Sequence, residues 1–188
     1  MKILALDQAR NGAYSIWDYD KKKLLRYGTY RFDNKKYTYP QAIRMIENLV
    51  ENLIYDNDVS AVFIEDINLR ANVVAFKCLA QLQGVLVNLF EKSNMAYSLI
   101  PPSTWQAYCQ ARGRTSKEKK SNTIAVEVSP KKKSKVLSLT FVKDKFGIDT
   151  MNDDLCDSIC IGWYVVNNID IESSTPNFKE KKNGKKEK

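Results

Sequence analysis

Two short stretches of this chain are apolar almost throughout and end on a carboxylate, and they limit its fold more than any other feature. Lys2 to Asp7 reads Lys-Ile-Leu-Ala-Leu-Asp, and Val59–Ile64 runs directly into Glu65. A brief apolar run bounded by polar residues is a strand covered on both faces, and such strands belong to layered sheets with helices above and below. A charge closing such a strand emerges at the edge of the sheet, where the active sites of α/β proteins gather.

The rest of the chain supplies the other parts of that architecture. Asn11-Gly12 marks a tight turn into a strand over Ala13–Asp18, and Lys21-Lys22-Lys23 turns into Leu24–Phe32; with the first strand this makes an antiparallel meander of three. Pro40 opens a helix with Ile43, Ile46, Leu49, Val50 and Leu53 on one stripe. A long helix is expected from Ala71 to Phe90, with Phe76, Ala80 and Val87 on one side and Cys78, Leu82, Val85 and Leu89 on another. A helix with two apolar sides is buried twice, once on the sheet and once on something else, such as a second subunit. Ala96–Ile100 is a fifth strand, stopped by Pro101-Pro102, and Ser103 is placed to cap a short helix over Thr104–Cys109. A basic stretch follows, helical in pieces broken near Pro130. Asn152 or Asp153 caps a last helix to about Asn167, with Leu155, Ile159, Trp163 and Val166 facing the core. The order is β-β-β-α-β-α-β-α-α, in a domain over residues 1–170 with a basic tail over 171–188 expected to lack structure.

Composition removes whole classes of chemistry. The chain of 188 residues has no histidine, which excludes Ser-His-Asp and Cys-His catalysis and every zinc site that needs imidazole. Its four cysteines, Cys78, Cys109, Cys156 and Cys160, contain no C-x-x-C pair; Cys156 and Cys160, four apart in an apolar stretch, read as two buried thiols rather than a bridge, and a reducing cytosol is the expected compartment. The N-terminus lacks the marks of a signal peptide, and no apolar run approaches the ~18 residues of a membrane span. The expectation is a soluble cytoplasmic protein with no membrane partner.

Charge is segregated. The net charge is +8, yet residues 112–135 hold nine basic side chains against Glu118 and Glu127, while residues 136–178 hold only Lys143 and Lys145 against seven acids. One basic and one acidic stretch read as a polyanion-binding surface beside a carboxylate cluster. Arg112, Arg114, Lys117, Lys119 and Lys120, then Lys131, Lys132, Lys133 and Lys135, supply affinity for phosphates without reading bases. Trp105 and Tyr108 read as packing residues.

The cluster itself is Asp7, Glu65, Asp154 and Asp157. The last two stand three apart, on one side of the final helix. Taken singly, each is an ordinary loop-entry or helix-start acid. Converging without a cationic neighbour they would repel, and hard divalent cations remove that conflict. Carboxylates and water suit Mg²⁺ or Mn²⁺, and two such ions ~3.5–4 Å apart hydrolyse phosphodiesters. Asp153 competes with Asp154 as the ligand.

These residues resemble the RuvC-like Holliday junction resolvases of the RNase H-like superfamily. Ile3-Leu4-Ala5-Leu6-Asp7 with Asn11-Gly12-Ala13-Tyr14 is similar to that family's first strand, catalytic Asp and turn. Glu65, Asn72 and Gln81-x-x-Gly84-Val85 follow its spacing from the Glu into the long helix, and Asp153-Asp154-Leu155-Cys156-Asp157-Ser158-Ile159 resembles its terminal D-x-x-D helix. The resemblance spans about residues 1–167, and Pro102-Ser103-Thr104-Trp105 with the lysines after it looks most like phage-encoded members. It departs from the pattern at Gln8-Ala9, where bacterial members carry Pro-Gly, and at Asn68, where they carry an aromatic residue.

The resemblance implies an RNase H-like α/β fold, a five-stranded mixed sheet with its first three strands antiparallel and helices on both faces. It also implies a Mg²⁺- or Mn²⁺-dependent endonuclease for branched DNA, two ions per site, working as a homodimer in the cytoplasm of a phage host. Catalysis would fall to Asp7, Glu65, Asp154 and Asp157, with Lys117, in its Gly-x-x-x-Lys context, near the scissile phosphate; Lys119 and Lys120 are rivals for that place. Four-way junctions are the expected substrate, with three-way and flap DNA as further candidates. An RNase H or pre-rRNA-processing nuclease on the same fold is one alternative, and a non-catalytic nucleic-acid-binding protein is another.

Overall fold

The computed structural model describes residues 1–68, 72–111, 130–171 and 179–180, with the backbone alone over 130–136 and 179–180. Its centre is a five-stranded open sheet built from β1 (Lys2–Asp7), β2 (Asn11–Asp18), β3 (Lys23–Arg31), β4 (Ala61–Glu65) and β5 (Ala96–Ile100). The spatial order is β3-β2-β1-β4-β5. β1 to β3 form the antiparallel meander, and β4 and β5 extend it in parallel from β1. Parallel neighbours need a crossover, and α1 (Tyr39–Asp56) and α2 (Val73–Lys92) provide the two. Both pack on one face, where Leu4, Leu6, Ile16, Val62 and Ile64 meet Ile46, Val50, Leu82, Leu86 and Phe90.

The other face carries α3 (Pro102–Tyr108), α4 (Pro130–Phe146) and α5 (Asp153–Asn168). There Ile3, Ala5, Trp17, Ala61 and Phe63 pack against Trp105, Val142, Ile159, Cys160 and Val165. Helix α1 starts on a full capping box, Thr38 with Gln41, and α5 starts on Asn152, whose side chain accepts from the Leu155 N–H at 2.8 Å.

Several local expectations are corrected. Asn11 and Gly12 are not a turn but the first residues of β2; the chain reverses over residues 8–10. Glycine is required at position 12 because a Cβ there would come within 2.5 Å of both the Asp7 carbonyl and the Tyr30 hydroxyl. Ser103 does not cap α3, which begins a residue earlier on Pro102 without a side-chain cap. The helical pieces broken at Pro130 include one continuous helix, α4, which starts there. Helix α5 buries far more than one stripe: Cys156, Ser158, Cys160, Ile161 and Gly162 join Leu155, Ile159 and Val166, because α3 and α4 cover its outer side.

Helix α2 also differs. Phe90 is fully buried in its own core, so it is not available to a partner. Val73–Lys92 is long and apolar enough to cross a membrane by length and composition, which corrects the expectation that no apolar run reaches that size. Its Leu82, Leu86, Leu89 and Phe90 are nonetheless committed to the sheet, while Val73 and Val74 stand 52% and 73% exposed. In the expected tail, Lys179–Glu180 (β7) pairs antiparallel with Ile169–Asp170 (β6); residues 172–178 and 181–188 lie outside the described residues.

Candidate active site

Alternation along the strands decides where the two strand-terminal acids go. Successive side chains of a strand point to opposite faces. In β1, Ile3 and Ala5 pack on the α5 side and Leu4 and Leu6 on the α1–α2 side, so Asp7 continues the α5 series. In β4, Ala61 and Phe63 face α5 while Val62 and Ile64 face away, so Glu65 continues the same series. Leu6 lies opposite Ile64 in the parallel β1–β4 pair. Asp7 and Glu65 therefore leave neighbouring strands, about 4.8 Å apart in the backbone, at one sheet end and on one face.

Helix α5 adds the other two acids through its direction. The Ser15 hydroxyl donates to the Ser158 carbonyl at 2.8 Å, Gly162 lies against the Trp17 indole, and the Tyr19 hydroxyl donates to the Ile169 carbonyl at 2.6 Å. In that order, these contacts run α5 antiparallel to β1, with its N-terminus over the Asp7 end. Asp154 is one turn before Ser158, about 6 Å along the helix. Asp7 is two residues beyond Ala5, the cross-strand partner of Ser15, about 6.6 Å along the strand. The equal steps bring Asp154 above Asp7, and Asp157, three residues on, shares that side of the helix. All four acids are half-buried.

Tyr30 packs on the opposite, α1–α2 face, at the Asp7 end of the sheet. Its hydroxyl is buried without an aligned hydrogen-bond partner. Burial chiefly, then the charge of Asp7, pushes its acidity constant up; the Ala9 backbone pulls weakly the other way, and Asp154 adds to the rise.

Two supports of the site were not legible as such in the sequence. Trp105, read as a packing residue, is buried in the core and its indole N–H also donates to Glu65 Oε1 at 3.1 Å. A buried tryptophan needs a partner for its N–H, which was the available signal. Gln8 Nε2 donates to the Glu65 carbonyl at 3.0 Å and to Gln83 Oε1 at 2.9 Å, tying the loop after Asp7 to the end of β4 and to α2. Nothing in the spacing of Gln8 and Gln83 announces that contact. Beneath α5, the Cys109 thiol donates to the Cys160 carbonyl at 3.6 Å. The Cys156 thiol is pushed up to about 12 by burial and by the charge of Asp157.

The donor set is all carboxylate, with no imidazole, and hard oxygen donors suit Mg²⁺ or Mn²⁺. Among the described residues no three acids or cysteines stand close enough together to hold a metal ion between them. Mg²⁺ held by one or two carboxylates, waters and substrate phosphate oxygens needs no such group. Asp7 and Glu65, on neighbouring strands, fit an ion bound in that way, with Asp154 and Asp157 as the acids that α5 carries towards the same sheet end. The basic residues expected to flank the site, Arg112, Arg114, Lys117, Lys119 and Lys120, lie outside the described residues. Lys131, Lys132 and Lys133 fall in the first turns of α4, where the backbone alone is described.

No family model matches the sequence, and no curated protein matches it. Solved structures do. Thermus thermophilus RuvC in complex with a Holliday junction substrate superposes with a TM-score of 0.63 at 11% identity, covering 87% of this chain and 91% of that one. Fowlpox virus resolvase in complex with Holliday junction DNA gives 0.54 at 16% identity, covering 89% and 97%. The yeast mitochondrial Holliday junction resolvase Ydc2 gives 0.51 at 14% identity, covering 87% and 77%. The chain has the RNase H-like fold of the RuvC-like Holliday junction resolvases.

Proposed function

We propose that this protein is a Mg²⁺-dependent, structure-selective DNA endonuclease that cuts four-way junctions as a homodimer, with three-way and flap DNA as further substrates. What supports this reading is the placement of Asp7 and Glu65 at one sheet end on the α5 face, with the N-terminus of α5, which carries Asp154 and Asp157, running over that end, in a fold shared with proteins solved with Holliday junction DNA. A site of four acids beside a polyanion is repulsive unless cations are bound, so a protein that only held DNA would gain nothing from it.

Bound Mg²⁺ or Mn²⁺ would supply an activated water and stabilise the leaving 3′ oxygen. The chain's own part is to hold carboxylate oxygens at fixed places. Lys117, or its neighbours Lys119 and Lys120, would bring charge to the scissile phosphate. Arg112, Arg114 and Lys131 to Lys133 would hold flanking phosphates without selecting bases.

Resolving a junction takes two cuts in opposing strands, hence two sites across a two-fold axis. Helix α2 supports that assembly: Val73 and Val74 are exposed, Ala80, Gln83 and Val87 are half-buried, and a Cβ on Gly84 would meet nothing within 4 Å. The test is to incubate the protein with labelled four-way, three-way, flap and RNA–DNA hybrid substrates, with Mg²⁺ and with EDTA. Paired nicks in the four-way junction, absent in EDTA, are expected. Hybrid or structured RNA cut in preference to every branched DNA would overturn the substrate assignment, and cleavage unaffected by EDTA would overturn the metal.

A further inference from the structure

We infer that Trp105 is a positioning residue for Glu65, its indole N–H fixing one carboxylate oxygen so that the group is presented to a divalent cation in one orientation; this rests on the metal-dependent reading above. The geometry begins in the backbone. Glu65 ends β4 opposite Ile100, the last residue of β5, and the Asp66 N–H donates to the Ile100 carbonyl at 2.8 Å. Pro101 and Pro102 follow at once, each with a restricted φ, and the Thr104 N–H closes back on the Pro101 carbonyl at 3.0 Å. The arm from Ile100 to Trp105 is therefore short and stiff, and it returns the indole to the strand end from which it started.

Trp105 is 1% exposed, in the same core cluster as Phe63 and Ile159. A donor buried that deeply loses its water on folding, and leaving it unpaired is costly. The 3.1 Å bond to Glu65 Oε1 gives the indole N–H its partner. Withdrawing the carboxylate from this orientation strands the indole, so the core itself holds Glu65 in place. One turn further along α3, the Cys109 thiol donates to the Cys160 carbonyl, which ties the same short segment to the helix carrying Asp154 and Asp157. Helix α3 is thus a strut between the acid on the sheet and the acids on α5. Partners of this kind, which orient a metal-binding group without touching the metal, are worth about tenfold or more in metal affinity.

The test uses ¹⁵N-labelled protein. The indole N–H resonance of Trp105 is assigned by Trp105→Phe or, if that variant does not fold, by elimination with Trp17→Phe and Trp163→Phe. It should move on Glu65→Gln and on Mg²⁺ addition, while those of Trp17 and Trp163 stay in place. By titration calorimetry, Trp105→Phe should weaken Mn²⁺ binding about tenfold in the otherwise wild-type protein and change nothing further on a Glu65→Gln background. A Trp105 resonance indifferent to both Glu65→Gln and Mg²⁺ would overturn the assignment, as would an equal loss of Mn²⁺ affinity on both backgrounds. If these signatures hold but no junction is cut, the nuclease reading fails and the positioning role stands. If junctions are cut and Trp105 is indifferent, the reverse is true.

Discussion

Gly162→Ala should cost this protein both stability and activity, although glycine in the middle of a helix is ordinarily a weak point. In an open helix interior, alanine for glycine stabilises by about 1 kcal/mol. Here the added Cβ would fall 2.0 Å from Trp17 Nε1 and 2.6 Å from Cδ1. The ring cannot swing away. Trp17 is fully buried, packs edge-on to Phe146 at 5.5 Å, and donates to the Ser15 hydroxyl at 2.9 Å, which itself donates to the Ser158 carbonyl. Overpacking of this kind costs about 1–3 kcal/mol, and breaking the buried indole bond costs about 1–3 kcal/mol more. Set against the helix gain, the net loss is about 3 kcal/mol, or about 6–12 °C in Tm for a chain of this size. Urea denaturation of the variant, beside Trp17→Phe and the double variant, measures it. The double variant should show Gly162→Ala costing under about 1 kcal/mol, because the smaller ring vacates the space. Since the Gly162–Trp17 contact sets the height of α5 over the sheet, Asp154 and Asp157 should retreat from Asp7 and Glu65, and cleavage should fall further than the folded fraction explains. A Gly162→Ala protein as stable as wild type or more so would refute the close approach of α5.

Asp7→Asn and Glu65→Gln should each abolish cleavage in a labelled-junction assay while gel-shift affinity survives, and Asp154→Asn should be far more damaging than Asp153→Asn. Neutralising Lys117, Lys119 and Lys120 together should flatten the plot of log K against log salt by about 0.9 per lost phosphate contact; an unchanged slope would remove this stretch from the DNA surface. Val74→Glu should shift the sedimentation of a dimer towards monomer with no change in far-ultraviolet circular dichroism, since Val74 is 73% exposed. Stability should fall as pH rises above about 9. Burial and Asp157 push the Cys156 thiol to about 12, and its contact with Cys109, together with burial, pushes Cys160 up as well, from an ordinary value of 9.0. Below that pH both states hold their protons and the slope is zero; above it the unfolded thiols release protons the folded ones keep, so urea midpoints should drop between about pH 9 and 12.

What could be read in advance depended on how local its cause was. Strand β1 and the Asp that closes it were legible because a buried strand needs an unbroken apolar run and the end of the run is visible. The start of α5 was legible because Asn152 caps it through a bond only three residues long. The Asn11-Gly12 pair misled for the opposite reason. A glycine usually signals a turn, but here it makes room for a tyrosine eighteen positions away, and no local pattern carries that information.

The same division governs the site. The sequence by itself determined which acids close buried strands, which sit three apart on one helix, and that no histidine could share their work, because strand ends, helical spacing and composition are properties of short segments. The tertiary structure alone decided that odd-numbered positions of β1 and β4 share a face, that α5 crosses that face with its N-terminus over Asp7, and that Trp105 and Gln8 brace Glu65 and its strand. Those facts depend on which strands become neighbours and on which way a helix runs across them. Both are set by long-range packing of the whole core, which no short segment encodes.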